Sequence, residues 1–201
     1  MKIIAIEGLD KSGKHTVAEL CAEYLEDHGL KVVQYSFPNY DGPIGMLIHD
    51  WLRGRFEANT QTFELLQAAD KQMAQDFILD CEKNETDVII MDRYLHSMWA
   101  YGAYDNDEAW LQELSRYMRK PDHVIYLDVE PEISMRRRGE HGDNDYYESD
   151  LDRLAHTRDE YRCLFKEHKD VPVTMIDANQ PLSVVKIKAL KTIVEYHKTI
   201  G

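Results

Sequence analysis

Apolar side chains along the chain alternate between two rhythms. Five short segments, at residues 2–7, 31–37, 87–92, 123–129 and 171–177, are rich in β-branched and other apolar residues. Several are nearly continuous apolar runs, as in Val88-Ile89-Ile90-Met91, the pattern of strands covered on both faces. Between them the spacing becomes helical. Val17 is followed by Leu20, Cys21, Tyr24 and Leu25, which predicts a helix ending near Gly29. A longer helix is expected from about residue 60 to 84, with Phe63, Leu66, Ala69, Met73 and Phe77 near one face. A last one, roughly 181–199, carries Val184, Ile187, Leu190 and Val194. Strands alternating with helices predict an α/β fold built on a parallel sheet. In such sheets ligands sit beyond the carboxyl ends of the strands, where loops meet helix N-termini.

No internal repeat, low-complexity tract or Pro/Gly linker divides the chain, so one domain over residues 1–201 is expected. The one polar irregular stretch, residues 139–150, combines two glycines with many charges and predicts a mobile loop. Charged residues make up 30% and hydrophobic ones 43%, which places the chain among ordinary globular proteins rather than disordered ones. The formal charge of −13 argues against binding nucleic acid or an anionic membrane, either of which would want a basic face. It allows an anionic small molecule, provided basic residues gather locally. The three cysteines, at 21, 81 and 163, are far apart, and two lie on apolar helix stripes; buried free thiols in a reducing compartment are expected. No CxxC or close His/Cys pair suggests zinc. Apolar runs fall far short of the about 18 residues a membrane helix needs. The opening apolar run is too short for a signal peptide and is interrupted by Glu7, so a cytoplasmic protein is expected.

Immediately after the first predicted strand comes Gly8-Leu9-Asp10-Lys11-Ser12-Gly13-Lys14-His15-Thr16, followed by a helix. This is GxxxxGK, a phosphate-binding loop: backbone N–H groups and the helix N-terminus cradle phosphate oxygens, and Lys14 reaches the β- and γ-phosphates. The residue after the lysine is normally Ser or Thr, whose hydroxyl helps to hold Mg²⁺; here it is His15. Imidazole is a poor ligand for so hard an ion. Thr16 or a water takes the role, or His15 donates to a phosphate, or His15 merely starts the helix. At the end of the third predicted strand stands Asp92-Arg93-Tyr94. Asp92 faces the loop across the crevice as a partner for Mg²⁺ or its water shell, and Arg93 is placed to clamp a second phosphate.

Together these residues resemble the thymidylate kinase family, nucleoside monophosphate kinases of the P-loop class, and the likeness runs in order along essentially the whole chain. It is carried by the loop with its inner Asp10 and Lys11, by Phe37-Pro38, and by Asp92-Arg93-Tyr94 followed by Ser97, Ala100, Tyr101 and Gly102. It extends through Pro131-Glu132, Arg136 to Arg138, the Gly-rich segment and Asp177-Ala178. The resemblance implies a P-loop kinase fold, a five-stranded parallel sheet flanked by helices with a lid over about residues 136–150. It implies transfer of the γ-phosphoryl of ATP, with Mg²⁺, to a deoxypyrimidine monophosphate, dTMP first, by a homodimer. The alternatives are a kinase for dUMP, a modified pyrimidine nucleotide or several dNMPs, and, in another class, a nucleotide-binding regulatory module without catalysis.

Catalytic roles are implied for Lys11, Lys14, Asp92, Arg93 and Arg137. The ATP site would comprise Gly8, Asp10, Lys11, Ser12, Gly13, Lys14, His15, Thr16, Arg136 and the turn at Ala178. The acceptor site would comprise Asp10 on the sugar 3′-hydroxyl, Arg93 on the phosphate, Tyr101 by the deoxyribose and Ser97 near the base, with Phe37, Pro38, Gln67, Lys71 and Tyr147. Thr16 and Asp92 would serve the metal. The chemistry agrees independently. A nucleotide 5′-phosphate has a second pKa of about 6, so no general base is needed and catalysis reduces to positioning and neutralising charge.

Several positions depart from the family. Asn39, Tyr40 and Asp41 follow Phe37-Pro38 where an Arg is common. Gln67 and Lys71 align with a base-stacking Phe and a base-reading Arg; an amide cannot stack as a ring does, and an ammonium lacks the planar fork of a guanidinium. Met98 and Trp99 are bulky for their positions, and Tyr146 stands where an Arg precedes the Tyr-Glu pair. Consecutive Arg136, Arg137 and Arg138 point about 100° apart on a helix, so one or two are expected to reach phosphate. Trp51, Trp99 and Trp110 are expected in the core or an interface rather than against a nucleotide.

Overall fold

A computed structural model describes residues 1–137, 146, 150–167 and 169–200 of the chain. Five strands, β1 (Lys2–Gly8), β2 (Val32–Ser36), β3 (Val88–Asp92), β4 (His123–Asp128) and β5 (Val173–Asp177), form one parallel sheet in the order β2-β3-β1-β4-β5. All correspond to segments expected from the sequence. The continuous apolar runs of β1, β3 and β4 are the buried centre, while the edge strands β2 and β5 are half exposed.

The helices are α1 (Lys14–Asp27), α2 (Pro43–Leu52), α3 (Thr60–Lys83), α4 (Leu95–Gly102), α5 (Glu108–Leu114), α6 (Pro131–Arg136), α7 (Leu151–Glu167) and α8 (Leu182–Ile200). Helix α1 packs on α8, α2 on α3, and α4 on both α3 and α7. Side chains start two of them: Asn59 accepts from the Thr62 N–H (2.8 Å) ahead of α3, and Asp107 from the Trp110 N–H (2.9 Å) ahead of α5. Trp51 and Trp99 are buried, and Trp110 is partly buried against the core, as expected.

Two helical faces differ from expectation. On α3 the buried positions are Phe63, Glu64, Ala68, Asp70, Lys71, Ala74, Ile78 and Cys81, while Met73 is 56% exposed. The inward face is turned roughly a third of a revolution from the apolar stripe, because polar residues destined for the site occupy it. On α8 the core residues are Val185, Ala189 and Ile193, and Ile187 is exposed. Cys21 and Cys81 are buried free thiols and Cys163 is an exposed one. No helix among the described residues is long and apolar enough to cross a membrane.

β1 lies between β3 and β4, so the connections leaving it and its neighbours diverge and open a crevice at the carboxyl edge of the sheet. The phosphate loop leaves β1 there, Asp92 and Arg93 leave β3, and Asp177-Ala178 leave β5.

Candidate active site

The loop between β1 and α1 is shaped by three left-handed backbone positions, Gly8 (φ 148°), Lys11 (φ 57°) and Gly13 (φ 98°). At Gly8 a Cβ would lie 2.6 Å from the Leu127 carbonyl oxygen of β4, so only glycine fits. Gly13 opens α1. Lys14, on its first turn, is buried and donates from Nζ to the Leu9 carbonyl (2.8 Å). Burial, reinforced by the nearby Arg93 charge, pulls its pKa down to about 8. His15 is exposed, with Nε2 3.3 Å from Glu19 Oε1 on the outer face of α1. Thr16 is partly buried.

Across the crevice, Arg93 follows β3 in a left-handed conformation (φ 66°) pinned by its N–H to the Ile6 carbonyl (2.9 Å). Its guanidinium donates to the Gly8 carbonyl (3.2 Å), the Ser97 hydroxyl (3.3 Å), the Tyr101 hydroxyl (3.4 Å) and the Asp10 carboxylate. Tyr101 donates in turn to Asp10 Oδ2 (2.8 Å) and its ring lies 5.0 Å from the Arg93 guanidinium carbon. Burial pushes the Asp10 pKa up, but Arg93, Lys14 and the Tyr101 hydroxyl outweigh it and hold the group below its ordinary value. Asp92 moves the other way: burial raises it despite the opposing charges of Lys14 and Arg93. The structure thus joins Asp10, Lys14, Asp92, Arg93 and Tyr101 into one electrostatic cluster.

Beside it is a cleft that encloses about 530 Å³ when the open solvent at its mouth is counted. Asp10, Phe37, Pro38, Gln67, Lys71, Arg93, Ser97 and Tyr101 all line it, joined by Tyr40, Leu52, Glu64 and Met98. The Phe37-Pro38 peptide is cis. Lys71, only 1% exposed, donates from Nζ to Gln67 Oε1 (3.0 Å) and lies 5.2 Å from the Phe37 ring centre. Burial lowers its pKa to about 8 against the raising influence of Asp70, Glu64 and Glu7. Asn39 is turned from the cleft into the scaffold, its N–H on Asp70 Oδ2 (3.1 Å) and its amide on the Tyr35 hydroxyl (3.1 Å).

On the opposite side of the loop, Arg137 bridges the Lys11 carbonyl (3.1 Å) and the Ala178 carbonyl (2.8 Å), and Ser134 donates to the Asp10 carbonyl (2.7 Å). Arg136 is exposed and bonds Glu132 of its own helix (3.1 Å). Tyr147, Arg138 and most of the segment expected as a lid lie outside the described residues. Tyr146 bonds the Leu52 carbonyl through its N–H (3.3 Å), with its ring against Trp51 and within 4.8 Å of the Arg153 guanidinium carbon. Arg153 also pairs with Asp105, tying α7 to the end of α4.

Among the residues that the sequence does not mark for the site are Glu7, Glu64 and Tyr161. Glu7 directly precedes the loop motif, but its contacts with Tyr94, Ser97 and Tyr161 are visible only in three dimensions. Glu64 sits in a helix with no local sign that it faces a cleft. Tyr161 lies 154 positions from Glu7.

The thymidylate kinase family model matches residues 6–189. Thymidylate kinase of Schizosaccharomyces pombe is 30% identical, covering 99% of this chain and 95% of that protein. A probable thymidylate kinase of Saccharolobus solfataricus is 33% identical, covering 96% of each. The solved thymidylate kinase of Candida albicans superposes with a TM-score of 0.81 at 25% identity, over all of this chain and 93% of that one. A loop of this shape, an Asp-Arg pair opposite it and a match over nearly the whole length have one reading: the chain belongs to the thymidylate kinase family.

Proposed function

We propose that the protein transfers the γ-phosphoryl group of ATP to the 5′-phosphate of dTMP, yielding dTDP and ADP. The observation that carries this is the meeting of two cationic anchors, Lys14 at the start of α1 and Arg93 after β3, around the carboxylate of Asp10. One anchor serves the donor phosphates and the other the acceptor phosphate, which brings two anions within reacting distance and offsets their repulsion. Near neutral pH the acceptor phosphate is already an oxyanion, so no residue has to remove a proton.

Lys14 and Lys11 place positive charge by the transferring group, and Arg137 approaches it from the opposite wall. Asp10 receives the sugar hydroxyl, and Tyr101 holds Asp10 in place. Mg²⁺ would be held by oxygen, from Asp92 and the Thr16 hydroxyl with water and phosphate; His15, engaged with Glu19, is the wrong donor for it. When bound, the ion would supply positive charge to offset that of the donor phosphates. In the cleft, the Lys71 ammonium and the Gln67 amide make a donor-rich wall, suited to a base edge bearing carbonyl oxygens.

The same proposal includes a single catalytic domain with residues 136–150 as lid, a homodimer, a cytoplasmic location and no nucleic-acid partner. The test is ADP release across a panel of nucleoside monophosphates. Turnover should be fastest with dTMP; equal or faster turnover of dGMP or dAMP contradicts the assignment. ATP binding without turnover of any monophosphate would mark a silent module instead.

A further inference from the structure

The Glu7 carboxylate is fully buried. One of its oxygens accepts from the backbone N–H groups of Tyr94 (2.9 Å) and Ser97 (3.3 Å). Helix α4 has no side-chain cap from its own N-cap residue, so β1 caps it from a distance. The second oxygen accepts from the Ser97 hydroxyl (2.5 Å) and the Tyr161 hydroxyl (3.0 Å). The two hydroxyls are themselves 2.8 Å apart.

Counting protons gives this cluster a direction. A carboxylate only accepts and a guanidinium only donates. The one Ser97 hydroxyl proton is therefore drawn to Glu7, which turns a Ser97 lone pair toward Arg93 Nη1 at 3.3 Å. Without Glu7 as acceptor, that proton is free to point at the guanidinium, donor against donor. The Tyr161 proton goes to Glu7 or to Ser97, and either choice reinforces the same orientation. Tyr161 belongs to α7, the helix that follows the segment expected as a lid, and its ring is locked against Tyr126 (5.0 Å) and Phe165 (5.9 Å).

We propose that Glu7, Ser97 and Tyr161 form a hydrogen-bonded relay that positions the Arg93 guanidinium for the acceptor phosphate and ties that position to α7. Glu7 and Tyr161 are positioning residues, acting through Ser97 and Arg93. The relay rests on the assignment of Arg93 to the acceptor phosphate in the proposed reaction. It requires a carboxylate: a glutamine at position 7 would either aim its NH₂ at the two backbone donors or donate to the hydroxyls and so turn the Ser97 proton away from position 7.

Tyr161→Phe removes one hydroxyl and keeps the packed ring, which makes it the central variant. With ATP as donor, the KM for dTMP should rise about five- to tenfold, the worth of one hydrogen bond in a charged network. The KM for ATP should stay within about twofold and Tm within a few degrees. In a Ser97→Ala background the relay is already cut, so Tyr161→Phe should add no further rise. Glu7→Gln should reproduce the acceptor-selective loss. An unchanged dTMP KM in Tyr161→Phe, an equal rise in both KM values, or full additivity of Ser97→Ala and Tyr161→Phe overturns the relay. Wild-type turnover of dTMP, measured first, tests the reaction itself, so the two failures are distinct.

Discussion

Two buried lysines, Lys14 and Lys71, stand at the site, and both have pKa values drawn to about 8 by burial. In the free enzyme each loses its proton as pH rises through that value, so kcat/KM for ATP (through Lys14) and for dTMP (through Lys71) should both decline above about pH 8. A guanidinium stays charged across this range. Measured at saturating ATP, whose phosphates keep Lys14 charged, Lys71→Arg should therefore remove the alkaline decline from the dTMP profile and leave the ATP profile unchanged. A Lys71→Arg enzyme whose dTMP profile still falls at the wild-type pH would show that Lys71 does not hold the acceptor as an ammonium. For stability the sign is opposite. Between about pH 8 and 10.5 the unfolded chain binds more protons than the folded one, so each lysine's burial penalty fades as pH rises through that window.

Among elements, α7 shows how function and packing share a helix. Its buried positions are Leu154, Thr157, Arg158, Tyr161 and Leu164, a proper helical spacing in which Thr157 and Arg158 break the apolar signal. Helix α4 is hidden for the reverse reason, since every residue in it is buried and no polar face gives it a period. Helices α2 and α5 likewise went unforeseen. The strands were legible because buried parallel strands are continuous apolar runs, and α1 because one of its faces is solvated. Arg158 anchors α7 to the end of β4, donating to Asp128 Oδ1 (2.7 Å) and to the Glu130 carboxylate. Arg158→Ala leaves Asp128 with Arg162 (2.7 Å), so the loss should be on the order of 2 kcal/mol, below that of a fully orphaned buried charge. Denaturant unfolding measures it; a cost under about 0.5 kcal/mol would reduce the network to a surface pair.

At the scale of the molecule, contiguity decided what the sequence disclosed about the site. The loop and Asp92-Arg93 are compact motifs and were found. Gln67 and Lys71 surfaced through alignment to the family, while the Glu7–Tyr161 contact had no sequence trace. The acid excess, −13, adds a constraint on assembly. Helix α3 presents Leu65, Met73 and Leu79 to solvent at 51%, 56% and 51% exposure. In the proposed homodimer this surface is covered, and two copies of like charge must approach. Sedimentation should give a dimer whose dissociation constant falls as salt rises to 0.3 M, and Met73→Glu should yield monomers. A wild-type chain that stays monomeric at high protein concentration contradicts the assembly.

Lys11 holds a left-handed backbone conformation that glycine adopts at no steric cost and lysine does not. Glycine at this position would relieve about 1 kcal/mol of strain, so Lys11→Gly should fold at least as stably as the wild type while turning over more slowly. Thermal unfolding and ADP release on the same sample separate the two effects, and a lower Tm would argue that the lysine earns its place structurally. In the proposed reaction the strained backbone at Lys11 is the cost of holding a charge inside the loop where glycine would fold more easily.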